Sequence, residues 1–235
     1  SGSGIAGTAV INDGVLTNNT SSPVTVTYYV TLPATGAGCT KVVTINLVVN
    51  PTPAQGTVIT GPATVCEGST GNIYTVASIP NATSYLWTFD GSPSTTLTNS
   101  LTINFTTLTS GNLTVQGVNS CGIGVASPPL SITVIEIPTL TSATTDEVCS
   151  GSLYGYTPIS TDVSASFTWT RNSSFGISNS QGSGTGSISE TLINTTNSDQ
   201  NVVYEITSTT TAGCTNVETL TVTVHPSPTI DYNSS

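Results

Sequence analysis

The side chains with the most distinctive chemistry are Cys39, Cys66, Cys121, Cys149 and Cys214, the sole histidine His225, and the two basic residues Lys41 and Arg171. Structural zinc sites place their ligands at short spacings such as Cys-x2-Cys, and no two cysteines here stand that way. Triad hydrolysis needs a histidine base oriented by a carboxylate, whereas His225 sits between a strand end and Pro226 with no nucleophile motif or placed carboxylate. Glycoside cleavage needs two acids converging on a cleft, and the 12 acids are scattered along the chain. No catalytic residue is expected, and the chain does not read as an enzyme. What remains for the cysteines is disulfide chemistry in an oxidising compartment.

Glu136, Asp146 and Glu147 approach one expected junction and are the candidate oxygen ligands for a structural Ca²⁺, the single cofactor in view. No Asp-x-Asp-x-Asp loop accompanies them. Among the aromatics, Trp87 and Trp169 occupy equivalent places and read as core, with Tyr74, Tyr154 and Tyr204 at its edge. Tyr28 and Tyr29 point to opposite faces of one strand, and with Tyr85, Phe89 and Phe175 they are candidates for a sugar-binding surface.

The composition limits the partners. Charged residues make up 6% of the 235, the net charge is −10, and Ser and Thr together account for 79 positions. A nucleic-acid binder needs Lys and Arg against the phosphates, and two basic residues do not supply them. No stretch approaches the roughly 18 consecutive apolar residues of a membrane helix, so neither nucleic acid nor membrane insertion is expected. The chain opens without Met on a Ser/Gly stretch, Ser1–Gly4, and reads as a segment of a longer polypeptide.

The elements that carry these residues repeat. Cys39 and the run Thr44-Ile-Asn-Leu-Val-Val-Asn-Pro-Thr-Pro53 match Cys214 and Thr219-Leu-Thr-Val-Thr-Val-His-Pro-Ser-Pro228, and Leu16-Thr-Asn18-Asn-Thr20 matches Leu192-Ile-Asn194-Thr-Thr196. Val65-Cys66-Glu-Gly-Ser69 likewise matches Val148-Cys149-Ser-Gly-Ser152, each followed by tyrosine and then by Trp87 or Trp169. The repeat is about 80 to 95 residues long, with its boundaries at Pro links. Within it apolar residues alternate with Thr and Ser, as in Leu220-Thr-Val222-Thr-Val224, which is the period of a half-buried strand. About seven short strands per repeat, and no helical period, predict an all-β sandwich.

Each complete repeat holds one front and one rear cysteine. Their order predicts two bridges within repeats, Cys66–Cys121 and Cys149–Cys214, each clamping one pole of a sandwich, with the partner of Cys39 lying outside the fragment. An isopeptide bond from Lys41 is not a property of the repeat, since its counterpart is Asn216.

Taken together, Val-Cys-x-Gly-Ser, a Tyr strand, a central Trp, Ser-Gly-x-Gly-Ser (Ser183–Ser187), Gly-Cys-Thr and an ending of the type Val-Thr-Val-x-Pro-x-Pro resemble the PKD-like and Ig-like repeats of very large Bacteroidota surface proteins. These include adhesins exported by type IX secretion, among them gliding-motility adhesins. The resemblance spans residues 1 to about 228, and the second repeat departs from it by lacking the rear-strand tyrosine. It implies tandem sandwiches of about seven strands in an extended rod. Residues 1–52 are expected to be the rear part of a truncated repeat, 53–137 and 138–226 two complete repeats, and 227–235 a linker into the next. The function it implies is a non-enzymatic stalk of a secreted, extracellular adhesin serving surface attachment or gliding, whose partners are neighbouring repeats, surface polysaccharide or secretion and motility machinery. The alternatives are carbohydrate-binding modules, or a cargo or filament subunit of a secretion system.

Overall fold

The period-two alternation resolves into seventeen strands in the computed structural model, which describes residues 14–32 and 38–228. The expected Ser1–Gly4 loop and residues 229–235 of the expected linker lie outside these. No helix occurs among the described residues.

In the first expected segment β1 (Val24–Leu32) and β2 (Lys41–Val49) form an antiparallel ribbon, with Val24 opposite Val49 and Tyr28 opposite Ile45. In the second lie β3 (Thr64–Cys66), β4 (Ser69–Thr75), β5 (Ser84–Phe89), β6 (Ser92–Thr96), β7 (Ser100–Phe105), β8 (Gly111–Asn119), β9 (Gly122–Ile123) and β10 (Leu130–Ile135). They make a sheet in the order β3-β10-β8-β5-β6, with β9 on β8, and a two-stranded sheet of β4 and β7. The third holds β11 (Thr145–Cys149), β12 (Leu153–Tyr156), β13 (Ser166–Arg171), β14 (Gly182–Thr185), β15 (Ile188–Thr191), β16 (Gln200–Thr209) and β17 (Thr215–His225). These form a sheet β11-β17-β16-β13-β14 and a pair β12-β15. Every sheet therefore draws its strands from one repeat.

The first strand of each complete repeat joins its sheet in parallel with the last. Val65 pairs with Val134 and Cys66 with Ile135, while Val148 pairs with Val224 and Cys149 with His225. The pairs β1-β2, β8-β10, β12-β15, β13-β14, β13-β16, β16-β17, β5-β6, β5-β8 and β8-β9 are antiparallel.

Side chains alternate across a strand, so each sheet has an apolar and a hydroxylated face. On β16 and β17, Val202, Tyr204, Ile206, Leu220, Val222 and Val224 are buried, while Asn201, Val203, Glu205 and Thr219 between them are exposed. They pack with Tyr154, Tyr156, Trp169, Ile177, Ile188 and Leu192 as one core. On the preceding repeat Tyr74, Trp87, Leu113, Val115 and Ile132 are buried in the same manner. The ribbon β1-β2 differs, since Tyr29, Val43, Ile45, Leu47 and Val48 stay exposed on it.

The chain divides into two compact units. One takes in the described residues up to Ala63 with Gly71–Ile103 and Ser110–Ile132; the other takes in Thr64–Thr70, Asn104–Thr109 and the described residues from Thr133 onward.

Candidate functional site

Cys66 ends β3 and Cys214 lies in the turn between β16 and β17; they are bonded to each other, with Cα atoms 5.6 Å apart across a sequence separation of 148. This corrects both expected bridges, Cys66–Cys121 and Cys149–Cys214. The physical reason is visible in the last repeat. Cys149 is in register with His225, where β17 ends, whereas Cys214 immediately precedes Thr215, where β17 begins. A strand of this length separates them by roughly 35 Å, and a disulfide cannot span Cα atoms more than about 7 Å apart. Front and rear cysteines of one repeat thus sit at opposite poles of its sheet. Instead of clamping one pole of one sandwich, the bridge ties the front of one repeat to the rear turn of the next, and Cys66 and Cys214 fall in the same compact unit.

The rear turn is built to hold its sulfur. Cys214 is buried; its N–H donates to Thr210 Oγ1 (3.0 Å), its carbonyl accepts the Thr210 N–H (2.9 Å), and Gly213 takes the positive φ of 88° that closes the turn. Cys39, Cys121 and Cys149 are free and exposed.

Carboxylates flank His225, contrary to the sequence expectation. Its Nδ1 lies 2.9 Å from Asp199 Oδ1 and its Nε2 lies 3.4 Å from Glu147 Oε2. Hydrogen bonds to Asp199 first and Glu147 second raise its pKa above the ordinary value. With both ring nitrogens engaged, the imidazole serves as a tie between β17 and its neighbours.

The calcium candidates do not converge. Glu147 is drawn to His225, while Asp146, next along β11, accepts the Tyr154 hydroxyl at 3.3 Å on the other face; Glu136 is exposed after β10. Among the described residues no group of three or more His, Cys, Asp or Glu side chains is arranged to hold a metal.

A buried ion pair was missed from the sequence. Arg171 is buried, and its guanidinium meets Glu190 through Nε–Oε2 (2.9 Å) and Nη2–Oε1 (3.0 Å), with Nη2 also donating to the Ser180 carbonyl (2.7 Å). Tyr204 donates its hydroxyl to Glu190 Oε2 at 2.7 Å, and the guanidinium lies 6.0 Å from the Tyr204 ring centre. Burial alone would raise the Glu190 carboxyl; the Arg171 and Tyr204 hydrogen bonds and the Arg171 charge outweigh it and hold the pKa below its usual value. The signal was available: in Phe167-Thr-Trp169-Thr-Arg171 the arginine shares the inward face of the core tryptophan.

The two tryptophans are buried but differently served. Trp87 Nε1 donates to Thr96 Oγ1 (3.0 Å), whereas Trp169 Nε1 has no partner, because its ring lies against Gly184, directly opposite on β14. Tyr74 and Tyr204 are buried as well. Of the proposed sugar-binding aromatics, Tyr85 belongs to the interior at 6% exposure, Tyr28 and Phe89 are half-buried, and Tyr29 (72%) and Phe175 (88%) stand in solvent on different compact units.

Comparison with known proteins adds the family. Residues 52–132 and residues 146–228 each match a profile described as a PKD-like domain. No curated relative matches the chain. Among solved structures, it is similar to the fibronectin(III)-like modules of Clostridium thermocellum CbhA, at 12% identity over 72% of this chain and 94% of that one, with a TM-score of 0.33. It is also similar to the chicken CNTN1 FN1–FN3 domains (13%, 85% and 77%, 0.34) and to extracellular domains 3–5 of Drosophila OTK (13%, 80% and 69%, 0.37).

Proposed function

On the premise that the chain is a tandem of PKD-like domains, we propose that it is a non-enzymatic stalk segment of a large secreted cell-surface adhesin. Such domains are typically structural and extracellular, and a disulfide suits an oxidising compartment. The observation that carries the reading is the Cys66–Cys214 bond, which covalently joins consecutive repeats where a chemical site would need none. The Thr- and Ser-rich outer faces hydrate the segment without charge, and the Pro links at 51–53 and 226–228 stiffen the passages between repeats. The resemblance to type IX exported adhesins of Bacteroidota extends this reading to surface attachment or gliding, with the neighbouring repeats and the motility machinery as partners.

Small-angle scattering of the oxidised chain tests it. Two and a half repeats of about 35 to 40 Å each predict a particle roughly 90 to 100 Å long. A compact particle removes the stalk reading.

A second reading, polysaccharide binding by the modules, is favoured by the exposed rings of Tyr29 and Phe175. Tyr29→Ala and Phe175→Ala should then each reduce retention on immobilised cell-surface glycan; unchanged retention removes it.

A further inference from the structure

We infer that Cys66–Cys214 is one rung of a continuous ladder, in which the front cysteine of every repeat is bonded to the rear cysteine of the repeat that follows. Cys149 then bonds a rear cysteine of the next PKD-like repeat. Cys121 bonds the front cysteine of the repeat to which β1 and β2 belong, and Cys39 bonds the front cysteine of the repeat before that. The inference rests on the reading of the chain as consecutive repeats of one polypeptide.

Three observations carry it. The first is the opposite placement of the two cysteines on one sheet, the front one beside the end of the last strand and the rear one before its start. No bridge within a repeat satisfies that geometry, and the bond that does form obeys the front-to-next-rear rule.

The second concerns Cys121. A front cysteine stands in register with Ile135 in one complete repeat and with His225 in the other. The corresponding place in the first repeat is beside Asn50, because Asn50-Pro-Thr-Pro53 matches His225-Pro-Ser-Pro228. Cys121 already lines an open cavity of about 400 Å³ together with Val48, Val49 and Asn50. Its turn is fixed there: Asn119 Oδ1 accepts the Cys121 N–H (2.8 Å), and Asn119 Nδ2 donates to the Pro51 carbonyl (3.0 Å). A rear cysteine is therefore held at the spot where the preceding repeat's front strand would end.

The third is that Cys39, Cys121 and Cys149 are exposed, as thiols awaiting partners on other repeats must be, whereas the bonded Cys214 is buried. Each rung forms when two thiols give up two protons and two electrons to the disulfide of a thiol–disulfide oxidoreductase, which leaves as its dithiol; the sulfurs join and no other bond breaks.

The test is disulfide mapping of the full polypeptide, isolated without reductant. Thiols are blocked with N-ethylmaleimide, and the chain is cut with pepsin, since Lys41 and Arg171 are its only tryptic sites within these repeats. The Cys149 peptide is expected joined to a Gly-Cys-Thr-type peptide, the Cys121 peptide to a Val-Cys-x-Gly-Ser-type peptide, and Cys66 to Cys214. Maleimide on Cys149 or Cys121, or a Cys66–Cys121 or Cys149–Cys214 pair, overturns the ladder. In the 235-residue chain alone, native labelling should modify Cys39, Cys121 and Cys149 and spare Cys66 and Cys214 until reduction; any other set also overturns it. A mapped ladder in a compact particle would remove the stalk reading and leave the ladder standing, so the two can fail separately.

Discussion

Asn18 and Asn194 make the same hydrogen bonds in two different repeats. Each Nδ2 donates to the carbonyl of a serine four residues on (Ser22, 2.8 Å; Ser198, 2.8 Å) and to that of a valine on the last strand (Val49, 2.7 Å; Val224, 2.8 Å). Each Oδ1 accepts from the N–H and hydroxyl of a threonine two residues on, at 2.9 and 2.7 Å for Thr20 and 2.8 and 2.8 Å for Thr196. One side chain thus satisfies a whole loop and bolts it to the end of the sheet.

Asn194→Ala should destabilise the last domain by about 2 kcal/mol, because it strands buried donors and acceptors. Asn18→Ala should cost less, since that loop is more open to water. Urea unfolding of the two variants measures the difference, and equal losses would contradict it.

Arg171→Met leaves the Glu190 carboxylate without its cation in the interior and should cost about 3 to 5 kcal/mol. Arg171→Met combined with Glu190→Leu removes both charges and should recover a good part of that loss. Because the folded-state pKa of Glu190 is depressed, its contribution is present above the ordinary carboxyl range near 4.3 and is lost as pH falls through the lower folded value. Thermal melts of the native chain from pH 5 to pH 2 should show that loss, and Glu190→Gln should flatten it.

Gly184→Ala would place a methyl 2.7 Å from Trp169 Cζ2. The ring has no room to retreat within a packed core, so a cost of about 1 to 3 kcal/mol and a shifted tryptophan emission are expected. A substitution with neither effect would show that β14 yields instead.

His225 reports on a rise in pH. Its folded pKa is raised by Asp199 and Glu147, so its stabilising contribution is complete below the ordinary value near 6.5 and disappears as pH rises through the folded value. Imidazole titration followed by NMR should give a midpoint above 6.5, and Asp199→Asn should lower it. An unmoved midpoint rules out the tie to Asp199.

The strands were legible because alternation such as Leu220-Thr-Val222-Thr-Val224 states a period of two, and the Asn18 and Asn194 motifs were legible as a match between distant segments. The disulfide was not. Order along the chain assigns each cysteine to a repeat, but the pole it occupies depends on β3 joining β10, and β11 joining β17, in parallel over long separations, which local pattern does not encode. A charge on a strand ordinarily faces water, but the alternation of Arg171 with Trp169 places it inside. Tyr85 lies inside for a related reason, since it shares the inward face of Trp87 on β5.

The Cys66–Cys214 bond also alters how the chain answers a pull. Tension applied at its two ends crosses from sulfur to sulfur and bypasses the 148-residue span between them. At about 3.3 to 3.6 Å per extended residue, roughly 500 Å of slack is kept out of the force path, so unfolding the sandwiches within that span lengthens the tether by almost nothing. Mechanical work then gains little by breaking the fold within that span, and the extension left to a pull comes from the residues before Cys66 and after Cys214.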